Sequence, residues 1–161
     1  MLALSQTTGY AILALSCLEG CGEHWVQAKE ISSCSGVPLP YLSKILHSLG
    51  DSDLIEAKRG YRGGFRLSRP ANKITLMDVA EAVESKPWLP QCLLGLEGCT
   101  DERACPTHDF WTKQRARIEA ELQKQTLHDV ALFERQRGKR LNGCDCAPLQ
   151  QPNETGTVQG N

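Results

Sequence analysis

The sequence lacks several features that would place it in a common class of proteins. Its apolar run from Tyr10 to Leu18 is much shorter than the roughly 20 residues that cross a bilayer, which excludes a transmembrane segment there. The N-terminus has no basic region, and no small-residue cleavage site follows the apolar run, which argues against secretion. The net charge of −1 excludes a uniformly basic nucleic-acid-binding protein. We therefore expect a small globular protein of the cytoplasm that makes no contact with membranes.

The sequence also lacks a catalytic constellation. It contains no recognisable pairing of a nucleophile with a base, no phosphate-binding loop and no cofactor fingerprint. His24, His47 and His128 are isolated from one another and from other titratable clusters. We therefore expect neither an enzyme nor a small-molecule substrate.

Cysteine, by contrast, is abundant, with eight residues in a chain of 161. In a reducing cytoplasm, clustered cysteines serve as ligands more often than as disulfides. Three cysteines and a histidine follow one another at the spacing C-x6-C-x5-C-x2-H: Cys92, Cys99, Cys105 and His108. This stretch has almost no apolar periodicity, so without a ligand it would be a flexible loop. Because thiolate and imidazole bind zinc and iron–sulfur centres, we expect a bound metal or cluster to hold it.

Three helices are predicted in the first third of the chain. The first, over about residues 5–19, is apolar on nearly every side, as in a buried central helix, and Cys17 is expected to pack there as a small hydrophobic residue. A second helix covers about residues 28–34, and Gly36 follows it where a C-terminal cap needs a positive φ. A third repeats its apolar residues at helical spacing: Leu42, Ile45, Leu46 and Leu49. Two short helices joined by such a turn form a helix-turn-helix.

The face of the third helix opposite its leucines is polar. It presents hydrogen-bond donors and an aromatic ring, which suit phosphates and base edges in the major groove of DNA. The candidate DNA-binding residues on it are Tyr41, Ser43, Lys44, His47 and Ser48. An ordinary solvated helix face has the same pattern, so this helix alone does not decide between the two interpretations.

A basic β-hairpin is predicted next. Apolar and polar residues alternate around Ile55 and again around Phe65, and the segment between them is rich in glycine, which would let the backbone approach DNA closely. Residues 57–77 contain six basic side chains and no acidic one, a local charge that the net charge hides. We interpret the hairpin as a wing, since a narrow minor groove attracts arginine. The candidate contacts at its tip are Arg59, Tyr61 and Arg62. A solvated hairpin is the alternative.

Further helices are predicted towards the C-terminus. A capping box at Thr75 opens one helix, and Thr107 or Asp109 can cap a longer helix. The longer helix has a narrow apolar seam that indicates a dimer contact, unless the helix folds back on its own domain. The seam consists of Phe110, Trp111, Ile118 and Leu122. A short helix over residues 127–133 could follow.

The predicted fold class is mainly α with a small β-hairpin wing, a winged helix-turn-helix followed by a long dimerisation helix. The expected divisions are a DNA-binding domain over residues 1–86, a cluster-binding loop over 87–108, a dimerisation helix region over 109–137 and a tail over 138–161. The composition of the tail predicts disorder, and we interpret its two cysteines, Cys144 and Cys146, as redox-labile bystanders.

Over about residues 1–133 these motifs resemble the Rrf-two family of bacterial winged-helix regulators, and within it the iron–sulfur branch. The most specific likenesses are the wing R-G-x-x-G-G-F-x-L from Arg59 to Leu67, the segment P-Y-L from Pro40, and the three spaced cysteines followed by C-x-x-H-D-x-W from Cys105 to Trp111. The resemblance implies a homodimer that binds palindromic double-stranded promoter DNA. It also implies sensing of iron–sulfur status, redox state or nitric oxide through a cluster near the dimer interface.

Carried over by position, the resemblance implies that Cys92, Cys99 and Cys105 bind an iron–sulfur cluster, with 2Fe–2S expected and 4Fe–4S as the other form. His108 resembles the fourth ligand of one branch of the family. Another branch takes an acidic ligand from the first helix of the partner subunit, but residues 5–8 here contain no carboxylate, which favours the histidine branch. The chain departs from the family pattern in two ways. Its first cysteine gap is x6 where x5 is commoner, and Pro38 and Pro40 stand at positions where relatives can donate hydrogen bonds to DNA.

The cysteine spacing is also close to that of Cys3His zinc sites, which close tetrahedrally and act structurally. Zinc would make the chain a static nucleic-acid-binding module without a sensing function. The winged helix and the apolar seam favour the sensor, and an iron–sulfur protein purified without oxygen is brown whereas a zinc protein is colourless.

Overall fold

The computed structural model describes residues 4–84, 89–95, 100, 102 and 105–136. The predictions for Cys99, Cys144, Cys146 and the tail from residue 138 lie outside these residues. Within the described residues the fold is mainly helical with one two-stranded antiparallel hairpin, which confirms the predicted fold class. No helix in this part of the chain is both long and apolar enough to span a membrane.

Three helices open the chain, as predicted: α1 is Gln6–Glu19, α2 is Ala28–Ser35 and α3 is Leu39–Asp51. Ser5 caps α1, because its side chain accepts a hydrogen bond from a backbone N–H of the first turn. Gly36 ends α2 in the left-handed conformation, with φ at +71°. The turn between α2 and α3 therefore has the form that the helix-turn-helix prediction required.

The predicted hairpin pairs β1, Ile55–Lys58, with β2, Gly64–Leu67, in a register that places Ala57 opposite Phe65. Val26, which lies just before α2, exchanges two backbone hydrogen bonds with Phe65, at 2.9 and 2.8 Å. These bonds fix the hairpin to the segment that leads into the helix-turn-helix.

The remaining helices are α4, Leu76–Val83, α5, His108–Lys124, and α6, Leu127–Gln136. A short 3-10 turn over Ala71–Lys73 precedes α4, and the predicted capping box at Thr75 opens it. α1 is the central helix, since it packs against α2, α3, α4 and α6. The apolar residues predicted to face inward from α3 are all buried in the core: Leu42, Ile45, Leu46 and Leu49.

α6 folds back onto α1. Leu127 and Ala131 are buried, and Glu19 at the end of α1 accepts a hydrogen bond from Arg135 at 2.5 Å. The imidazole Nδ1 of His128 lies 2.9 Å from the same carboxylate, so this histidine, which is isolated in sequence, has a partner in the fold. The division of the chain into four parts stays a prediction, and α6 packs against α1, in the first of those parts.

Cys17 does more than fill space in the core. A disulfide joins it to Cys34 of α2, with the two Cα atoms 6.3 Å apart, inside the usual range of roughly 4.4–6.8 Å. The expectation that Cys17 packs as a simple hydrophobic residue was therefore wrong. Seventeen positions separate the two cysteines, and only the packing of α2 on α1 brings them together.

Glu84, which follows α4, is bonded to the N-terminal end of α1. The hydroxyl of Thr8, which is fully buried, donates a hydrogen bond to its carboxylate. Burial raises the pKa of Glu84, but hydrogen bonds from Ser5 and Thr8 outweigh burial and hold that pKa below its ordinary value of 4.5. The contact therefore stabilises the fold at pH values above 4.5, and this contribution is lost as the pH falls through the lowered pKa.

Glu84→Gln is expected to lower the free energy of unfolding at pH 7 by about 1 kcal/mol, a small value for a charged hydrogen bond because solvent reaches and screens the carboxylate. Urea unfolding of both proteins from pH 7 to pH 3 should show the difference shrinking as Glu84 becomes protonated in the wild type. Glu23→Gln, at an exposed carboxylate beyond α1, is the control. A difference that does not change with pH would contradict the assignment.

Candidate functional site

The side of α3 that faces away from the core carries five residues predicted to contact DNA. Four of them are exposed and the fifth, Ser48, is half-buried: Tyr41, Ser43, Lys44, His47 and Ser48. Two also make local contacts, because the Ser43 hydroxyl donates to the carbonyl oxygen of Leu39 at 3.0 Å and His47 Nε2 lies 3.5 Å from Asp51 Oδ2. Their contact with DNA stays a prediction.

Tyr41 is held in place by a second aromatic ring. The ring centroids of Tyr41 and Tyr10 lie 6.3 Å apart, and the rings meet edge to face at 65°. The Tyr10 hydroxyl in turn accepts a hydrogen bond from Gln6 at 2.9 Å. Tyr41 is nevertheless 62% exposed, so the ring is braced from α1 and still open to a ligand.

A groove of about 440 Å³ lies between α3 and the hairpin. Ser43 and His47 line it from α3, and Ala57 and Phe65 line it from the hairpin. α3 and the hairpin therefore border one surface, as a recognition helix and a wing must. Asp51 adds a negative charge to this groove, so a positive charge on this surface has to come mainly from the hairpin.

The tip of the hairpin supplies such charge. Arg59, Tyr61 and Arg62 are exposed there, and Tyr61 is 94% exposed. Arg62 has a φ of +64°, a left-handed conformation that costs a side chain about 1 kcal/mol or more. Its guanidinium carbon lies 5.8 Å from the ring centroid of Tyr61. The tip thus combines two cations with an aromatic ring on a defined turn.

Trp25 also belongs to this surface, although no sequence motif marks it. The Arg66 guanidinium carbon lies 4.6 Å from its ring centroid and the Lys58 ammonium nitrogen lies 5.7 Å from it, one from each strand. Arg66 also bonds to Glu56 across the hairpin at 2.7 Å. Two of the six basic residues of the run therefore brace the base of the wing. The available signal was the apolar pair Trp25-Val26 just before α2, which could pair with the hairpin.

The glycines of the wing serve the packing of the chain itself. A Cβ at Gly63 would lie 2.2 Å from the carbonyl oxygen of Lys58, and a Cβ at Gly64 would lie 2.5 Å from that of Val26. Both distances are impossible for real atoms, so neither position accepts a side chain without a shift of the backbone. Close approach of these glycines to DNA stays a prediction.

The described part of the cysteine loop leads into α5. His108 is the first residue of α5, and its backbone N–H donates to the carbonyl oxygen of Cys105 at 2.9 Å. Of the two predicted caps, Thr107 and Asp109, Thr107 occupies the N-cap position, without a capping hydrogen bond from its side chain. Its hydroxyl lies 3.2 Å from the Cys105 sulfur. The turn that starts α5 therefore brings Cys105 and His108 to one end of the helix.

Trp111 connects the other end of the loop to the same region. Its indole N–H donates to the carbonyl oxygen of Pro90 at 2.8 Å, two residues before Cys92, which is itself buried. Cys105 and His108 therefore lie at the start of α5, and Trp111 ties the segment before Cys92 to the first turn of the same helix.

Trp111 does not belong to the predicted dimer seam. Trp111 is only 3% exposed and packs within its own chain, so assigning it to a subunit contact was wrong. α5 also packs against α4, which leaves Ile118 and Leu122 half-buried, whereas Phe110 is 57% exposed. The remainder of the seam stays a prediction.

The donor set suits a thiolate-bound centre. Sulfur and imidazole ligands match zinc and iron–sulfur clusters, and the N-terminal end of a helix favours the negative charge of a thiolate. Among the residues that the structure describes, no three His, Cys, Asp or Glu side chains already form a metal-binding group. Cys99, the remaining cysteine of the predicted site, lies outside those residues.

The model of the Rrf-two family (Rrf2), described as "Iron-dependent Transcriptional regulator", matches residues 4–132. This chain belongs to the Rrf-two family. It is therefore a DNA-binding transcriptional regulator and not an enzyme. A relative from Sodalis glossinidius (strain morsitans), the HTH-type transcriptional regulator IscR, is 32% identical over 109 residues, which cover 68% of this chain and 66% of the relative.

Two solved structures share the fold of this Rrf-two protein. T. potens IscR has a TM-score of 0.67 and 25% identity, and the match covers 85% of this chain and 91% of that one. CymR (YrzC), the global cysteine regulator of B. subtilis, has a TM-score of 0.68 and 23% identity, with 83% and 98% covered. At this identity, the likeness to CymR shows a shared fold and no shared function.

Proposed function

We propose that this Rrf-two protein is a cytoplasmic homodimer that regulates promoters through an iron–sulfur cluster bound by Cys92, Cys99, Cys105 and His108. The observation that supports this most is the arrangement at the start of α5, where one turn presents Cys105 and His108 and the Trp111–Pro90 hydrogen bond anchors the segment of Cys92. When bound, a cluster supplies a redox-active centre whose potential depends on its ligands and exposure. The expected form is 2Fe–2S.

The surroundings of Thr8 support His108 as the fourth ligand. In the branch of the family with an acidic ligand, that ligand comes from the first helix of the partner. In this chain Thr8 is fully buried, and its hydroxyl is bonded to Glu84 of the same chain. This part of α1 is therefore committed to its own core, whereas His108 is half-buried beside the cysteine loop.

Continuous packing connects the cysteine loop with the DNA-reading elements. α5 packs against α4, and α4 packs against both α1 and α3. A change in the position of α5 on ligand binding would therefore be passed through α4 to α3 and alter DNA affinity.

Exposed apolar side chains support the proposed homodimer. Phe110 on α5 and Leu132 and Phe133 on α6 are 57%, 43% and 50% exposed. Side chains of this size gain free energy when a partner covers them. Two such subunits would read two half-sites of a palindromic promoter.

DNA affinity with and without the cluster tests the proposed function. A duplex is first selected from a random library with anaerobically purified protein. Its affinity is then measured for the protein as purified and after the cluster has been removed with a chelator, both in the same dithiol reductant so that the Cys17–Cys34 pair does not differ between them. We expect at least a five-fold difference between the two forms, in the usual range for coupled sites. Equal affinities would contradict a sensing role.

The wing arginines are expected to anchor that DNA. Arg62→Ala should weaken binding and reduce the slope of log affinity against log salt concentration by about one unit for each lost phosphate contact. Arg59→Ala should act in the same direction. Arg62→Lys keeps the charge at the same backbone position and serves as the control, with a near wild-type slope. Unchanged affinity and slope in both alanine variants would remove the wing tip from the interface.

A further inference from the structure

Three cysteines gather where α1 meets α2, far in sequence from the cluster loop. Cys17, Cys21 and Cys34 are 2%, 4% and 4% exposed. Cys17 and Cys34 form a disulfide between the two helices, and the sulfur of Cys21 lies 3.3 Å from the carbonyl oxygen of Cys17. The proposed iron–sulfur site uses none of them.

The disulfide holds the first helix of the helix-turn-helix. α2 has two buried residues, Ile31 and Cys34, and one of them carries the link to α1. Gly36, in the left-handed conformation, joins α2 directly to the segment that opens α3. A change in the attachment of α2 therefore acts on the position of the recognition helix.

We propose that Cys17 and Cys34 form a reversible thiol–disulfide site that reacts with peroxides and controls how firmly the helix-turn-helix is held. In a cytosolic protein, disulfides that form are usually transient and redox-sensing, which suits a pair placed beside the DNA-reading element. Because α2 has few buried residues, local opening about Gly36 can expose the two sulfurs to a small oxidant.

The reaction balances with hydrogen peroxide as the oxidant. The thiolate of one cysteine attacks the O–O bond, which gives a sulfenic acid and releases one water after proton transfer. The thiol of the other cysteine then attacks the sulfenic sulfur, which forms the S–S bond and releases a second water. The two thiols lose two electrons and two protons, and one peroxide is reduced to two water molecules. A dithiol reductant reverses the step by thiol–disulfide exchange.

The form with the Cys17–Cys34 disulfide should be more stable than the reduced form and should bind DNA more tightly. The disulfide closes a loop of sequence separation 17, which removes entropy from the unfolded chain. For a chain of this size we expect a melting temperature about 10 °C higher in the oxidised form. Fixing α2 also orders the helix-turn-helix before binding, so we expect reduction to weaken DNA affinity by about five-fold or more.

The test uses the full chain in fully reduced and peroxide-treated forms. Thiols are trapped with an alkylating reagent, and digested peptides are mapped by mass spectrometry, which distinguishes this pair from the loop cysteines. We expect a Cys17–Cys34 linked peptide, together with the shifts in melting temperature and DNA affinity. Cys34→Ala should abolish the link and both shifts, whereas Ser33→Ala, at the exposed position beside Cys34, should retain them. Effects of peroxide on the cluster persist in Cys34→Ala, so the two sites are separable.

The comparison of oxidised and reduced wild type needs no substitution, so a poorly folded variant leaves the test intact. Alkylation of both Cys17 and Cys34 after peroxide treatment would overturn the proposal. So would a linked peptide that contains Cys21 in place of either residue. The proposal would also be overturned if the disulfide form, once identified by peptide mapping, had the same melting temperature and the same DNA affinity as the reduced form.

Discussion

Gly64→Ala is expected to lower the free energy of unfolding by about 3 kcal/mol or more and to abolish measurable DNA binding. The added Cβ would lie 2.5 Å from the Val26 carbonyl oxygen and 2.9 Å from its nitrogen, and backbone atoms cannot move aside as a flexible side chain can. Relief of the clash must break the two hydrogen bonds between Val26 and Phe65. The expected loss combines overpacking with these broken hydrogen bonds.

Gly9→Ala is the matched control for that variant. Gly9 lies inside α1, and a Cβ there would have no described atom within 4 Å. Alanine should therefore stabilise the helix by roughly 0.5–1 kcal/mol, whereas Gly64→Ala destabilises the protein. Urea unfolding measures both variants, and the duplex selected with the wild type measures DNA affinity. A Gly64→Ala protein with wild-type stability and DNA affinity would show that the contact between the wing and Val26 is dispensable.

Cys105→Ala is expected to abolish the cluster, and Cys92→Ala and Cys99→Ala should do the same. His108→Ala should leave the cluster labile, because alanine has no ligating atom and solvent would have to replace one of the four protein ligands. His108→Cys should retain the cluster but lower its potential, since a thiolate adds negative charge where imidazole is neutral. Anaerobic absorption spectra, iron and sulfide content and redox titration measure these outcomes.

Cys21→Ala is the control for those variants, because it removes a buried cysteine outside the loop and should leave cluster content unchanged. The role of His108 as a ligand is tested separately from the roles of the cysteines. Anaerobically prepared His108→Ala with wild-type cluster content, spectrum and potential would show that His108 only starts α5. The fourth ligand would then have to be another group.

The DNA-reading part of the fold could be predicted because its signals are local. The apolar spacing from Leu42 to Leu49, the capping box at Thr75 and Gly36 at the end of α2 each reflect contacts within a few residues. Such contacts follow from helix geometry, so the sequence alone determines them.

The features that were missed depend on contacts between distant segments. Trp25 sits against both strands of the wing, Cys34 meets Cys17 only when α2 packs on α1, and Trp111 is drawn inward by the carbonyl group of Pro90. An apolar helix stripe has the same sequence pattern whether it faces its own chain or a partner. The pattern around Trp111 therefore could not distinguish the two.

The predicted ligand residues stand out in the sequence for a different reason, and their role stays a prediction. Cys92, Cys105 and His108 are unusual residue types at short spacing, and a metal centre requires its ligands to be close together. The structure adds that Cys105 and His108 share the turn that starts α5. It also adds α4 as the helix between α5 and the recognition helix.

Mössbauer spectroscopy of the anaerobically purified chain, with iron, sulfide and zinc determined on the same sample, tests the central claim most directly. We expect a brown protein with about two iron and two sulfide per chain and a spectrum in which the two iron sites differ, since one has an imidazole ligand. Stoichiometric zinc in a colourless protein without sulfide would contradict it, and the cysteine loop would then be a structural site.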